Sequence, residues 1–541
     1  MSLTKVTYSM IKGATVNVAD YGAVGDGVVD DTTAIQAAID YAKSIGGATV
    51  FFPQGVYIAS RIEIPRNVLL DGGQVMLTEL KQKANSNQDF IVSEGFSGFT
   101  GTGVLYPNNP AVPGWFGLKD IRVNGNKANQ TAGNGLSWYG FGQLMLGIVL
   151  VYDCYQDNIY TESSDTPPSF LAGGWESQEE GFFETVISRT AGRHCWLNRG
   201  PHNYNLQIYT CEIDRDATGY GFISERSSTY TGLSDRVGLM HVYTSGTNTT
   251  NRRGYYFGAG TRIDMLICDS VSAEFPSIVS GSPCEVDFIS LNGIGKATNF
   301  DGITISGSNT VINSINGATD SAATGVTGLK ITGSNNYIGH VFLFDNSAGA
   351  ANKGIDVAGN ANQVASANIR NFNGTGATGV KVVGGFHHLT GVIQSCTTAF
   401  DYTLSSGNNT IDLTIFLGAG QIPVTGNAPA LTSDRFQIRY SGSSVGSNPR
   451  SVTTSGASAN QVDMTSTAVQ TITLPHNCPY TPVRQNVQLS FATTITDYAW
   501  DFPPQFDSAD ATNLVIKCKL STASSTPVSR GDITARVNVG T

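Results

Sequence analysis

The middle of the chain alternates apolar and polar residues in short runs that recur at a nearly constant spacing. Four of these runs, DGITISGSN, TGLKITGSN, KGIDVAGNA and TGVKVVGGF, share glycines that lie 26, 26 and 25 residues apart, at Gly302, Gly328, Gly354 and Gly379. A second alternating run follows each one. Alternation of this kind buries one face of a β-strand. Short strands repeating about every 25 residues, with no helix between them, predict the coils of a parallel β-helix.

The same register extends backwards with more varied side chains. First strands are predicted at VLVYDC, TVISRT, LQIYTC, LMHVYT and MLICDS, and second strands at NIYTES, HCWLNR, GFISER and GYYFGA. The loops between these coils are longer than those after Asp301. Because binding and catalytic residues concentrate on such elaborations of a regular scaffold, we expect the functional site between about Cys154 and Glu274.

The two ends of the chain depart from the coil pattern. Apolar residues at Ile35, Ala38, Ile39 and Ala42 have helical spacing, so Thr32 to Ser44 is predicted to be a helix, capped by Asp30 or Asp31 and ended by Gly46-Gly47. Such a helix would cover the open end of the β-helix core. Beyond about residue 430, strands at hairpin spacing, from RFQIRY to ITARVNV, predict a β-sandwich.

These patterns divide the chain into four parts. Residues 1–15 are a lead-in, 16–72 an N-terminal cap, 73–430 the parallel β-helix, and 431–541 a C-terminal sandwich for trimerisation or carbohydrate binding. The predicted fold class is therefore all-β, with one short helical cap.

Composition narrows the class of partner. Of the 541 residues, 40% are hydrophobic, only 14% are charged and 62 are glycine, which argues against both a helical protein and disorder. The net charge of −10 argues against nucleic-acid binding, because nucleic-acid-binding surfaces are basic. The eight cysteines form no CxxC pair, and we interpret them as buried small residues of a protein assembled in a reducing compartment. We find neither a signal pattern nor a membrane-spanning run, so no membrane insertion is expected.

The segment VNVADYGAVGDGVVDDTTAIQAAID…GGATVFFPQGVY, residues 16–57, resembles the opening motif of the pectate-lyase-like superfamily. That superfamily includes polygalacturonases and many bacteriophage tailspikes. The preceding LTKVTYSMIKGA resembles the neck of tailspikes, and RGPHN at Arg199–Asn203 resembles tailspike depolymerases. The residue set of the pectin-cleaving branch is not found in this sequence, which argues against pectinase activity.

This resemblance implies a right-handed parallel β-helix that assembles as a homotrimer. It further implies a phage tailspike that binds and depolymerises a bacterial surface polysaccharide, O-antigen or capsule. Such a spike is assembled in the host cytoplasm, joins the phage tail or baseplate through an N-terminal part that is short or missing here, and acts at the host cell surface.

Stacking the predicted coils brings two carboxylates together. The alignment places Glu162 and Glu225 at matching outward positions two coils apart, which corresponds to about 10 Å between Cα atoms. Paired carboxylates at that separation suit an inverting glycosidase, with one as acid and one as base. Asp214 and Asp216 lie at a corner leading into the Glu225 strand and could raise a neighbouring pKa. The alternatives are a solvated glutamate face and a simple turn.

The same alignment predicts an outward row of Tyr160, Trp196, Ile223 and Tyr256, which would suit the apolar faces of sugars. The alternative is packing under the long loops or against another subunit. Arg199 and Arg226 lie beside the candidate carboxylates and could bind an acidic sugar or pair with the glutamates. His241 is the candidate base if the enzyme is a lyase, although a lone histidine in a strand is more often structural.

Three functions follow from these candidates. The first is an endo-acting glycoside hydrolase that uses the paired carboxylates, the second a polysaccharide lyase on the same scaffold, and the third a spike that binds glycan without cutting it. No zinc-ligand spacing or calcium-binding loop is present in the sequence, so no metal or other cofactor is expected.

Overall fold

A computed structural model describes the backbone of most of the chain. The described residues are 15–94, 116–139, 144–162, 181–199, 203–206, 211–213, 219–225, 233–244, 253–258, 260–269, 277–278, 284–295, 301–385, 387–404, 409–418, 421–426, 435–442, 451–453, 462–463, 470–475, 487–491, 500–509, 513–520, 530–531 and 533–537. The chain divides into two compact units, unit 1 (Met1–Gly328) and unit 2 (Leu329–Thr541), and each is described by itself.

The predicted N-terminal helix is confirmed as α1 (Thr32–Ser44), which buries Ile35, Ala38, Ile39 and Ala42. Its N-cap residue, Asp31, makes no capping hydrogen bond with its side chain. The Asp31 carboxylate instead accepts hydrogen bonds from the backbone N–H groups of Val24 and Gly25. Asp30 accepts from the backbone N–H of Thr32 at 3.0 Å, so the carboxylate that caps the helix is Asp30.

Unit 1 consists mainly of short strands. They are β1 (Val16–Asn17), β2 (Asp26–Asp30), β3 (Ala48–Phe51), β4 (Gly55–Ala59), β5 (Ile62–Ile64), β6 (Val68–Asp71), β7 (Thr78–Gln82), β8 (Ile91–Ser93), β9 (Phe116–Lys119), β10 (Ile121–Asn124), β11 (Leu136–Tyr139), β12 (Leu144–Tyr152), β13 (Ile159–Glu162), β14 (Gly181–Arg189), β15 (Trp196–Arg199), β16 (Asn203–Leu206), β17 (Cys211–Ile213), β18 (Tyr220–Glu225), β19 (Leu233–Thr244), β20 (Arg253–Phe257), β21 (Gly260–Asp269), β22 (Ser277–Ile278), β23 (Glu285–Ile294), β24 (Ile303–Ile305) and β25 (Val311–Thr319). Two 3-10 helices, Val18–Tyr21 and Lys127–Asn129, complete the set.

The strands of unit 1 form three parallel sheets. Sheet A has the order β1-β3-β6-β9-β12-β10-β7-β4-β2, with β14 also paired to β12. Sheet B runs β5-β8-β11-β13-β15-β18-β20-β22-β24, and sheet C runs β16-β19-β21-β23-β25, with β17 paired to β19. Because sheets B and C each take a strand from successive coils, the prediction of a parallel β-helix is confirmed.

Unit 2 continues with further strands after β26 (Thr327–Ile331), which crosses the boundary between the units. They are β27 (Tyr337–Phe344), β28 (Lys353–Val357), β29 (Gln363–Arg370), β30 (Thr378–Gly384), β31 (His388–Gln394), β32 (Thr398–Leu404), β33 (Thr410–Leu417), β34 (Ile422–Gly426), β35 (Arg435–Gly442), β36 (Ser451–Thr453), β37 (Val462–Asp463), β38 (Gln470–Pro475), β39 (Val487–Phe491), β40 (Trp500–Ala509), β41 (Asn513–Leu520), β42 (Arg530–Gly531) and β43 (Ile533–Val537).

Parallel pairing in unit 2 joins β28-β30-β32-β34 and β27-β29-β31-β33-β35. The strand predicted to open the sandwich, β35, instead pairs in parallel with β33, so coil-type pairing extends past residue 430. From β36 onwards the described pairs are antiparallel, in the orders β36-β43-β39, β37-β42 and β38-β41-β40. Hairpin-type strands at the C-terminal end therefore agree with the sequence pattern.

The repeated glycines lie where successive coils approach each other closely. A Cβ added at Gly302 would lie 2.2 Å from the Gly328 carbonyl oxygen, and one at Gly354 would lie 2.5 Å from the Gly379 carbonyl oxygen. Both distances are far inside van der Waals contact. Glycine therefore recurs at this position of the coil because a larger residue would clash with the backbone of the next coil.

Four cysteines whose side chains are described, Cys154, Cys195, Cys284 and Cys396, are buried, as the sequence predicted. Burial raises the pKa of the Cys396 thiol to about 12, which keeps it protonated and unreactive at neutral pH. The side chains of the other four lie outside the described part of the chain. Among the described helices, none is long and apolar enough to cross a membrane.

Candidate functional site on sheet B

Sheet B fixes which residues of successive coils lie side by side. Ile159 pairs with Trp196, and Trp196 with Phe222, so these three occupy one position in the stack. Three residues further along each strand, Glu162 pairs with Arg199, and Arg199 with Glu225. The two candidate carboxylates are thus in register two coils apart, as predicted, and Arg199 occupies the coil between them.

The predicted direction of Trp196 is wrong. The sequence alignment matched Ile159 with Cys195, whereas the structure matches Ile159 with Trp196. A shift of one residue moves a side chain to the opposite face of a strand. Trp196 therefore lies in the interior with 1% of its surface exposed, and it cannot contact a polysaccharide from there. Asn198 is equally buried.

Polar groups inside the coil satisfy one another around Trp196. Its indole Nε1 donates to the Thr161 hydroxyl at 3.2 Å, and that hydroxyl donates to Asn198 Oδ1 at 2.7 Å. The indole also packs edge-on against Phe183 and Phe222. This network fixes the register of the coils that carry Glu162, Arg199 and Glu225.

An apolar row does exist on the opposite face of sheet B, with Leu197 in the place predicted for Trp196. Val92, Tyr160, Leu197 and Ile223 form one buried cluster, against which Tyr220 and Tyr256 pack. Tyr160 is fully buried, so the prediction that it faces a ligand is not supported by its position. Tyr256 is only partly buried and remains accessible from this face.

Two aromatic residues that the sequence analysis missed extend this row. The imidazole of His194 stacks on the ring of Tyr220, with centroids 6.1 Å apart and planes inclined by 21°. Tyr220 in turn lies 5.4 Å from Tyr256. All three side chains are partly exposed. They could have been found from the spacing, because His194 and Tyr220 each lie two residues before the interior aromatic of their strands, Trp196 and Phe222.

A hydrogen-bonded ladder runs along the corner that leads into sheet B. In each coil a side chain accepts a hydrogen bond from the backbone N–H at the same position of the next coil: Asp89 from Asn134, Asn134 from Asp157, Asp157 from His194, and His194 from Tyr220. The donor–acceptor distances run from 2.8 to 3.1 Å. The ladder positions the His194 ring, because the ring Nδ1 accepts the hydrogen bond from the Tyr220 backbone N–H.

Two carboxylates, Asp89 and Asp157, lie along this corner, and Asp157 forms an ion pair with Arg193. The Arg193 guanidinium grips the buried Asp157 carboxylate with two nitrogens, Nε at 2.7 Å and a terminal nitrogen at 2.5 Å. Asp89, two coils earlier, has a pKa raised by burial, against which hydrogen bonds and Arg61 act. The contact with Arg193 thus positions the Asp157 carboxylate as the acceptor for the His194 backbone N–H.

The remaining predicted site residues are located less completely. The side chains of Glu162, Arg199, Glu225 and His241 lie outside what the structure describes, although their backbones belong to β13, β15, β18 and β19. Asp214, Asp216 and Arg226 fall outside the described residues altogether. Within the described part, no group of three histidine, cysteine or acidic side chains is arranged to hold a metal ion.

Comparison with known proteins agrees with the motif at the N-terminus. Residues 15–143 match a family model described as rhamnogalacturonase A/epimerase, pectate lyase-like. This part of the chain is pectate-lyase-like. The match includes the cap, α1 and the first coils, and it ends before the strands that carry Glu162 and Glu225.

Curated relatives match a stretch of similar length. Mannuronan C5-epimerase AlgE5 of Azotobacter vinelandii is 37% identical over 131 residues, 23% of this chain and 12% of that protein. Alginate lyase 7 of the same organism is 34% identical over 121 residues, 21% of this chain and 13% of that protein. The chain thus spans about an eighth of the length of these relatives.

The solved structures that resemble this chain include phage tailspikes. The tailspike protein of Escherichia coli bacteriophage HK620, in complex with a pentasaccharide, covers 96% of this chain and 93% of its own. The sequence identity is 13% and the TM-score 0.45.

Proposed function

We propose that this protein binds a bacterial surface polysaccharide on the outer face of sheet B and cleaves it there. The observation that carries the proposal is the register of Glu162, Arg199 and Glu225 beside a row of partly exposed aromatic residues. Carboxylates, a cation and aromatic rings together provide the groups that glycan cleavage and binding need.

The leading reaction is hydrolysis by an endo-acting glycosidase. Two strands of separation put the Cα atoms of Glu162 and Glu225 about 10 Å apart, which leaves room for a sugar and a water between two carboxyl groups. One glutamate would protonate the leaving oxygen, and the other would remove a proton from the attacking water. Asp214 and Asp216 remain proposed contributors, since like charges nearby favour the protonated form of an acid catalyst.

Arg199 favours a second candidate reaction, β-elimination from an acidic sugar. In the backbone register Arg199 lies between Glu162 and Glu225, and a cation close to a carboxylate would favour its ionised form, which suits a base better than an acid. A lyase needs a cation to neutralise the uronate carboxylate and a base to remove the C5 proton, roles proposed for Arg199 and His241. The names of two curated relatives, a mannuronan C5-epimerase and an alginate lyase, make an acidic polysaccharide a substrate class to test.

The setting proposed for this activity is a phage tailspike. The buried cysteines and the absence of a CxxC pair in the sequence fit assembly in a reducing cytoplasm, and the lead-in segment resembles a tailspike neck. In this proposal the spike is a homotrimer attached to the phage tail, and it acts at the host cell surface. A spike that binds glycan without cutting it would use the same aromatic row.

One experiment distinguishes these reactions. The protein is incubated with purified O-antigens, capsular polysaccharides and mannuronan, and the products are analysed by mass spectrometry and ultraviolet absorbance. Hydrolysis adds water to each product, whereas elimination leaves an absorbing unsaturated uronate. Bound but uncut glycan throughout the panel would contradict both enzymatic candidates.

A further inference from the structure

We infer that His194, Tyr220 and Tyr256 form an aromatic platform on which a pyranose ring of the polysaccharide stacks. The inference rests on the proposed function and adds a binding subsite to it, distinct from the row of charged residues. The platform is defined as these three side chains throughout.

The three rings lie on consecutive coils and touch in sequence. His194 and Tyr220 are nearly parallel, at 21° and 6.1 Å, whereas Tyr220 and Tyr256 are tilted by 47° at 5.4 Å. Tyr220 and Tyr256 also rest on the buried apolar cluster of Tyr160, Leu197 and Ile223. The buried cluster therefore supports two rings of the platform, and all three side chains are partly exposed.

The backbone holds the platform in place before any ligand binds. His194 Nδ1 accepts a 2.9 Å hydrogen bond from the Tyr220 backbone N–H, which sets the orientation of the imidazole. Asp157 accepts from the His194 backbone N–H and is itself held by Arg193. A Cβ at Gly219 would lie 2.2 Å from His194 Nδ1, so only glycine leaves room for the ring. Rigid groups lose little entropy on binding, which favours affinity.

The chemistry of the platform fits a sugar better than a charged or purely apolar ligand. Aromatic rings with polar edges pack against the C–H faces of pyranoses, while their hydroxyl and imidazole groups can reach sugar hydroxyls. The net charge of −10 disfavours a nucleic acid. Ile223, which supports the platform, is two residues from Glu225, about 7 Å along the strand. A glycan stacked on the platform would therefore reach the charged row with its next residues.

The test measures equilibrium binding of the same panel of O-antigens, capsular polysaccharides and mannuronan to variants of the full chain. His194→Asn removes the ring but keeps an acceptor for Tyr220, because Asn134 already serves as such an acceptor in this ladder. Tyr256→Ala removes the outermost ring. Tyr337→Ala is the matched control, since Tyr337 is an exposed tyrosine in unit 2. Thermal melting confirms that each variant is folded.

We expect His194→Asn and Tyr256→Ala each to weaken binding of the recognised glycan about 2- to 10-fold, with Tyr337→Ala unchanged. Unchanged affinity in both folded platform variants would overturn the platform but leave the proposed cleavage intact. If the wild type binds no glycan of the panel, both the platform and the proposed function fail.

Discussion

Trp196 donates its indole hydrogen bond to Thr161, 3.2 Å away in the preceding coil. This contact can form only when Trp196 faces the interior, and it therefore fixes the alternation of inward and outward residues along β15. With Trp196 inside, Arg199 falls into register with Glu162 and Glu225. The composition of the proposed catalytic row thus depends on the inward orientation of Trp196, to which this hydrogen bond contributes.

Replacing Trp196 with Phe tests this orientation. Loss of the hydrogen bond and of indole volume should lower the free energy of unfolding by about 1–3 kcal/mol, measured by denaturant titration. Glycan affinity should stay close to that of the wild type. Full stability combined with lost glycan binding would instead show that Trp196 faces the ligand.

Much of the fold was predictable because the same pattern of apolar residues and glycines repeats along the sequence. Helix α1, the coil strands and the spaced glycines each follow from local periodicity and steric demand. The exact register between coils did not follow, since HCWLNR contains apolar residues at both parities: Cys195 and Leu197 at one, Trp196 at the other. Only tertiary packing against Phe183 and Phe222 decides which parity faces inward.

The candidate site was predictable only in part. The pairing of Glu162 with Glu225 across two coils follows from strand spacing. The one-residue error did not affect it because only the strand between them, β15, was misaligned. His194 and Tyr220 were missed because His194 precedes β15 and Tyr220 is the first residue of β18, and alternation indicates direction poorly at the start of a strand. Their placement depends on the hydrogen-bonded corner from Asp89 to Tyr220.

The repeated glycines give a second prediction. In Gly354→Ala the new methyl group would meet Ile369 Cγ2 at 2.4 Å and the Gly379 carbonyl oxygen at 2.5 Å. Overpacking of this kind should destabilise the protein by about 1–3 kcal/mol, seen as a lower thermal midpoint. Gly418→Ala is the control, since its nearest neighbour would lie at 3.5 Å. Equal midpoints for the two variants would show that the coils can separate without cost.

His387 predicts a dependence of stability on pH. It is buried in a second hydrogen-bonded ladder. Its ring Nδ1 accepts from the Asn362 backbone N–H, and its backbone N–H donates to Asn409 Oδ1. Burial lowers the pKa of this imidazole below its ordinary value. Above about pH 6.5 the histidine is neutral in both folded and unfolded chains; below it, the unfolded chain takes up the proton first and stability falls.

The matched variant is His387→Asn, which supplies the acceptor that Asn362 and Asn409 supply elsewhere in the ladder. The wild type should lose more of its thermal midpoint between about pH 8 and about pH 5 than this variant does. An identical loss in both proteins would mean that His387 contributes nothing to the acid sensitivity.

The most direct test of the central claim is the cleavage rate of the polysaccharide that the wild type degrades, measured for Glu225→Gln and Glu162→Gln. Glutamine keeps the size of the side chain but can neither donate a proton as an acid nor accept one as a base. The account predicts a rate reduced at least about 100-fold in each variant with glycan binding retained, and full activity in the control Glu184→Gln, an exposed glutamate on β14 in sheet A. Cleavage at the wild-type rate by Glu225→Gln would contradict it.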